Sequence, residues 1–252
     1  MFGGGGPVGR GWQAGLLTGL LERGVDVSGA DLIVGTSAGA ILGALLAAGV
    51  HLAPVDERAL RMRQMVPEST ASRDASVRAG LGAAALAAET MSEVESLSRA
   101  TFAPLAGMGW PSNFAATAVN ARTGEFRVFR AGDGVPLPSA VAASPALPGV
   151  YPPITVGGEQ YVDGGLRSML NVDLAAGFDV VAVVSCFPLD AGDEVDITAL
   201  RNNEAGSVIT VVPEERLRGM NMLDQKLVGR AYEVGRDQAS VEAVDFAEAW
   251  SA

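Results

Sequence analysis

Leu32-Ile33-Val34-Gly35-Thr36-Ser37-Ala38-Gly39 decides how this chain is read. Leu32 to Val34 is a short, continuous apolar run of the kind that forms a buried strand. Residues Ala38 to Ala48 are almost all apolar and free of proline, so they predict a helix. Between the two stands Gly35-Thr36-Ser37-Ala38-Gly39, a G-x-S-x-G junction from strand to helix. Such a nucleophile elbow holds a serine hydroxyl out at the edge of a sheet, and its glycines keep side chains off the neighbouring strand and helix. Ser37 is the candidate nucleophile, with Gly35 and Gly39 as its supporting residues.

Working outward, apolar runs alternate with helical patterns. Asp179 to Ser185 and Ser207 to Val212 are nearly unbroken in β-branched residues, which predicts strands buried on both faces. Phe114 to Val119 and Glu125 to Phe129 predict a strand pair around Thr123-Gly124. Helices are expected over Gly11 to Arg23, Val55 to Met65, Gly80 to Leu97 and Asn221 to Ala249. The alternation predicts an α/β fold of three layers, α/β/α, around a mostly parallel sheet. Residues 1–252 read as one domain. The Ala-, Met- and Ser-rich section Pro54 to Pro111 reads as a helical insertion or cap, and Pro136 to Pro153 as a long irregular connection.

Gly3-Gly4-Gly5-Gly6-Pro7-Val8-Gly9 opens the first helical pattern. Backbone N–H groups of such a loop can hold an anion or an oxyanion at a helix N-terminus. Gly4, Gly6 and Gly9 also fit G-x-G-x-x-G, which leaves a nucleotide-binding α/β protein as an alternative. That alternative needs an acid at the end of the second strand, whereas Asp26 and Asp31 both precede Leu32. A glycine loop of this kind normally follows a strand, yet only Met1 and Phe2 come before it. The sheet is therefore expected to lack its first strand or to begin one strand short.

Composition narrows the chemistry. Of 252 residues, 48% are hydrophobic, enough for a core of α/β size. The net charge of −11 excludes the basic surface of a nucleic-acid binder and gives no attraction to anionic lipid. A single cysteine, Cys186, and a single histidine, His51, exclude a disulfide framework and Cys- or His-rich metal sites. The longest apolar run, Ala38 to Val50, is too short for a membrane span, and no leader pattern opens the chain. The chain thus reads as soluble and cytoplasmic, without cofactor or metal.

A serine needs a base. His51 follows Ser37 by only 14 residues, beyond the far end of the helix that Ser37 opens, so a Ser-His-Asp triad is not expected. Tyr161-Val162-Asp163-Gly164-Gly165 offers an Asp after a short strand, whose carboxylate the two following glycines let come close to another loop. Read alone it is also a common D-G turn.

Taken together, the glycine loop, G-T-S-A-G and D-G-G, in that order, resemble the patatin-like phospholipases. Ala143-Ser144-Pro145-Ala146-Leu147-Pro148 and Tyr151-Pro152-Pro153 are similar to the stretch that this family carries before D-G-G. The resemblance spans roughly Gly3 to Ser185, with Pro54 to Pro111 unmatched. It implies a serine esterase or lipid acyl hydrolase with Ser37 as nucleophile and Asp163 as base. Gly4, Gly5 and Gly6 would supply the oxyanion hole, and Gly9, Gly164 and Gly165 would support the motifs. The implied substrate is a fatty-acyl lipid or small ester, with peripheral membrane contact through apolar residues. Read from the residues, the apolar Leu, Met and Ala between Val55 and Met108 would either form an acyl tunnel or lid or only pack helix against helix. Two departures are visible: Val8 stands where the family usually has Arg or Lys, and Leu166 to Asn171 replaces the usual Asn and Pro after D-G-G. A catalytically inactive, lipid-binding relative is the other alternative.

Overall fold

A computed structural model describes residues 1–50, 52, 72–87, 102, 105–202, 206–217 and 219–250. The expected helix Val55 to Met65 and His51 lie outside the described residues, as does most of the expected cap.

Period-two alternation on the strands sorts the side chains into two cores. On β1 (Ile33–Gly35), β2 (Phe114–Asn120), β6 (Val180–Val184) and β7 (Ser207–Val211), the residues Ile33, Phe114, Ala116, Val184, Ile209 and Val211 face one way. There they meet α1 (Gly6–Glu22), α2 (Ala38–Ala47) and the C-terminal helix α6 (Val228–Trp250). Val34, Ala115, Val181 and Val183 face the opposite way, against Ile197 and Leu200 of α5 (Ala191–Asn202). On that second face α3 (Ala75–Ala87) packs Ala85 near Val119 and Val162. Helices therefore cover both faces of one sheet, as the alternation of patterns predicts.

The sheet is mixed. β1 runs parallel to β2, and β6 parallel to β7. The rest is antiparallel: β2 with β3 (Phe126–Arg130), β2 with β5 (Glu159–Asp163), and β5 with β4 (Ile154–Val156). The place of a first strand is taken by a stub. Phe2 bridges in parallel to both Gly35 and Val184, with Phe2 N–H on Val34 O at 2.8 Å and Gly3 N–H on Val184 O at 3.0 Å. This stub joins the β6–β7 pair to β1 and delivers the glycine loop to the C-terminal end of the sheet.

Several helices differ from expectation, α3 among them, which starts at Ala75 and not at Gly80. Helix α1 begins at Gly6, so the last glycines of the loop form its first turn, with Pro7 at a position where a missing N–H costs nothing. The Pro-rich connection contains α4 (Leu137–Ala143), whose first turn holds Pro138 for the same reason. The C-terminal helix starts at Val228, because Asn221 and Asp224 spend their side chains on local turns. Close approach of α1 to α6 needs glycine: a Cβ on Gly15 would lie 1.9 Å from Tyr232 O. Among the described residues no helix is long and apolar enough to cross a membrane.

Candidate active site

Strand register brings Ser37 and Asp163 together. β3 occupies one edge of β2 from Ala115 to Val119. The other edge is shared: β1 pairs with Phe114 to Ala116, and β5 pairs with Ala118 to Asn120. Because β1 is parallel and β5 antiparallel to β2, both point their C-terminal ends at Thr117. Gly35 lies opposite Ala116, and Asp163 opposite Ala118. Two chain segments more than 120 residues apart thus end face to face over one residue. Thr117 Oγ1 ties the junction by donating to Thr36 Oγ1 at 2.9 Å.

Ser37 adopts φ 55° and ψ −117°, a strained backbone for a residue with a side chain, as an elbow requires. Its flanking glycines are sterically required. A Cβ on Gly35 would lie 2.3 Å from Ala40 Cα, and one on Gly39 would lie 2.2 Å from Phe2 O. Ser37 Oγ donates to Asp163 Oδ2 at 2.8 Å. The second carboxylate oxygen, Oδ1, accepts from Gly165 N–H at 2.7 Å. Gly164 sits hard against β2, where a Cβ would meet Thr117 O at 2.6 Å.

Asp163 is only 4% exposed, and this burial pushes its carboxyl up to about 7. The hydrogen bonds from Gly165 and Ser37 pull the other way but are outweighed. The serine proton therefore meets a carboxylate of unusually high basicity directly, with no imidazole between them.

The glycine loop lies against the elbow, since a Cβ on Gly4 would be 3.3 Å from Ser37 Cβ. One expectation is corrected here. Gly4 N–H donates to Met169 O at 2.9 Å, so it is spent on holding the loop and is not a free oxyanion donor. Among the described residues, the N–H groups of Gly5 and Gly6 have no protein acceptor, and neither does that of Ala38 at the start of α2. Gly9 packs on Cys186 and donates to Gly5 O at 2.8 Å, a supporting part of the turn.

Residues that motif reasoning passed over complete the site. Ser144 Oγ accepts from Ser37 N–H at 2.8 Å. Asn171, itself at φ 51°, donates to Thr36 Oγ1 at 3.1 Å and is held in turn by Arg167 at 2.7 Å. Ser144 lies within the Ala143 to Pro148 stretch, where nothing local distinguishes its hydroxyl from that of a surface serine.

A family model described as patatin-like phospholipase matches residues 1–176. Uncharacterised NTE family proteins of Mycobacterium tuberculosis and Mycobacterium bovis are 33% identical over 186 residues, covering 72% of this chain and 47% of theirs. The chain thus spans about half the length of these curated relatives. Among solved structures, VipD from Legionella pneumophila aligns with a TM-score of 0.45 at 14% identity, over 96% of this chain and 66% of that one.

Proposed function

Because the chain belongs to the patatin-like phospholipase family, we propose that it hydrolyses fatty-acyl esters through a Ser37–Asp163 dyad. The observation that carries this reading is the direct 2.8 Å bond from Ser37 Oγ to a buried carboxylate held near 7. A base whose pKa lies close to the working pH combines a populated ionised form with real proton affinity.

In the proposed cycle, Asp163 takes the Ser37 proton as Oγ attacks the ester carbonyl carbon. The carbonyl π pair moves onto oxygen, and the N–H groups of Gly5 and Gly6, joined by Ala38, receive the oxyanion. The positive ends of α1 and α2 favour the same charge. Collapse of the tetrahedral centre expels the alcohol, which leaves with the proton from Asp163, and Ser37 carries the acyl group. Asp163 then deprotonates a water that attacks the acyl carbon. The proton returns to Ser37 Oγ as the fatty acid is released.

The substrate class rests on the family, and a net charge of −11 gives no attraction to anionic lipid. Contact with a lipid aggregate would therefore rest on apolar residues. Labelling by a fluorophosphonate probe, together with turnover of short p-nitrophenyl esters, tests the reading. Wild type is expected to label and turn over, and Ser37→Ala to do neither. A wild-type protein that neither labels nor turns over supports the lipid-binding alternative; activity surviving in Ser37→Ala removes Ser37 from the chemistry.

A further inference from the structure

β1, which ends two residues before Ser37, and β5, which ends at Asp163, reach Thr117 from opposite directions, so sheet pairing alone leaves the separation of the two side chains to the turn after β1. One short turn touches both. Ser144, the residue that closes α4, is fully buried. Its Oγ accepts the Ser37 N–H at 2.8 Å. Its carbonyl accepts the Gly164 N–H at 3.1 Å, and Ala146 O accepts the Asp163 N–H at 3.0 Å. The turn is anchored in its turn: Ala140 and Ala143 of α4 pack with Ala118, Phe129 and Val156. The strand that aligns β1 and β5 therefore also fixes the turn that clamps their ends.

From this geometry we infer that Ser144 is a positioning residue, whose hydroxyl holds the strained elbow so that Ser37 Oγ meets the Asp163 carboxylate. The inference rests on the dyad proposed above. The two carbonyl contacts are main-chain, and any residue could supply them. The contact to Ser37 needs a side-chain oxygen at position 144. It has a second consequence: the nucleophile's own N–H is occupied, so the acyl oxygen must be received by other N–H groups, those of Gly5, Gly6 and Ala38.

Ser144→Ala deletes only that oxygen, and Ser144→Cys replaces it with a larger sulfur that is a weak acceptor. With a short p-nitrophenyl ester, Ser144→Ala is expected to lower kcat roughly 10–100-fold, as a misplaced reacting group does, while KM changes by less than about threefold. Ser144→Cys is expected to fall between the two. The acid limb of kcat/KM moves to higher pH in Ser144→Ala, because a weaker Ser37 bond removes one of the contacts that favour ionised Asp163. All rates are expressed per Ser37 titrated with fluorophosphonate, which separates positioning from loss of folded protein. Wild-type kcat and acid limb in both variants, per titrated site, would overturn the inference. A wild type that fails to turn over or label defeats the dyad itself. In that event amide exchange still decides the clamp: exchange at Ser37 accelerating roughly tenfold or more in Ser144→Ala supports it, and unchanged exchange refutes it.

Discussion

Burial of Asp163 sets activity and stability against each other over one pH window. An isolated aspartate titrates near 3.8, whereas Asp163 is pushed to about 7. As the proposed base it must be ionised, so kcat/KM should fall about tenfold at pH 6 and about 100-fold at pH 5 relative to its alkaline plateau. Stability runs the other way. Between pH 4 and pH 7 the folded chain keeps a proton that the unfolded chain has lost. The contribution is complete below the unfolded pKa and is lost as pH rises to the folded one. The span is a little over three pH units, or about 4 kcal/mol at 1.36 kcal/mol per unit. Asp163→Asn cannot ionise. It should be inactive at every pH, yet above pH 7 it should gain stability over wild type by up to about 4 kcal/mol, with the gain vanishing near pH 4. Initial rates followed at the isosbestic wavelength of p-nitrophenol, and urea unfolding at pH 4, 6 and 8, measure both halves. A rate that stays level down to pH 5 would refute the argument. So would an Asn variant with no stability gain at pH 8.

Other expectations follow from close contacts. Gly164→Ala drives a Cβ into Thr117 O, 2.6 Å away, and must shift the neighbouring Asp163; kcat should fall about 100-fold and urea unfolding should show a loss of about 1–3 kcal/mol. Gly15→Ala should lower the urea midpoint by a similar overpacking cost, since its Cβ meets Tyr232 O on α6 at 1.9 Å. Gly5→Ala places a Cβ 2.5 Å from Cys186 Cβ and Sγ. Displacing this proposed oxyanion donor should reduce kcat roughly 100-fold, and adding Cys186→Gly should recover part of the loss in a double-mutant cycle.

Much of the site is encoded locally. The elbow is legible because its φ 55° geometry requires two glycines at fixed spacing, and the strand and helix around it are set by adjacent residues. D-G-G is legible for a similar reason: Gly164 and Gly165 permit the approach of Asp163 that larger residues would block. The helix start at Gly6 and the α4 helix within Leu137–Ala143 were less visible, since glycine and proline read as breakers but suit first turns. The short strand before Asp163 is legible, but its hairpin partner β4 is only three residues long, too short to stand out although all three are β-branched.

By itself, then, the amino-acid sequence determined the α/β alternation, the G-x-S-x-G elbow at Ser37 and the D-G-G carboxylate at Asp163. Each depends on what one residue permits its near neighbours to do. Tertiary structure alone decided that β1 and β5 share one edge of β2 and end over Thr117, which makes the Ser37–Asp163 bond direct. It also decided that Met169 takes the Gly4 N–H and that Ser144 takes the Ser37 N–H. Those outcomes depend on which distant edge, carbonyl or hydroxyl reaches a donor first. No spacing along the chain records that competition, because the partners are brought together only when the sheet closes.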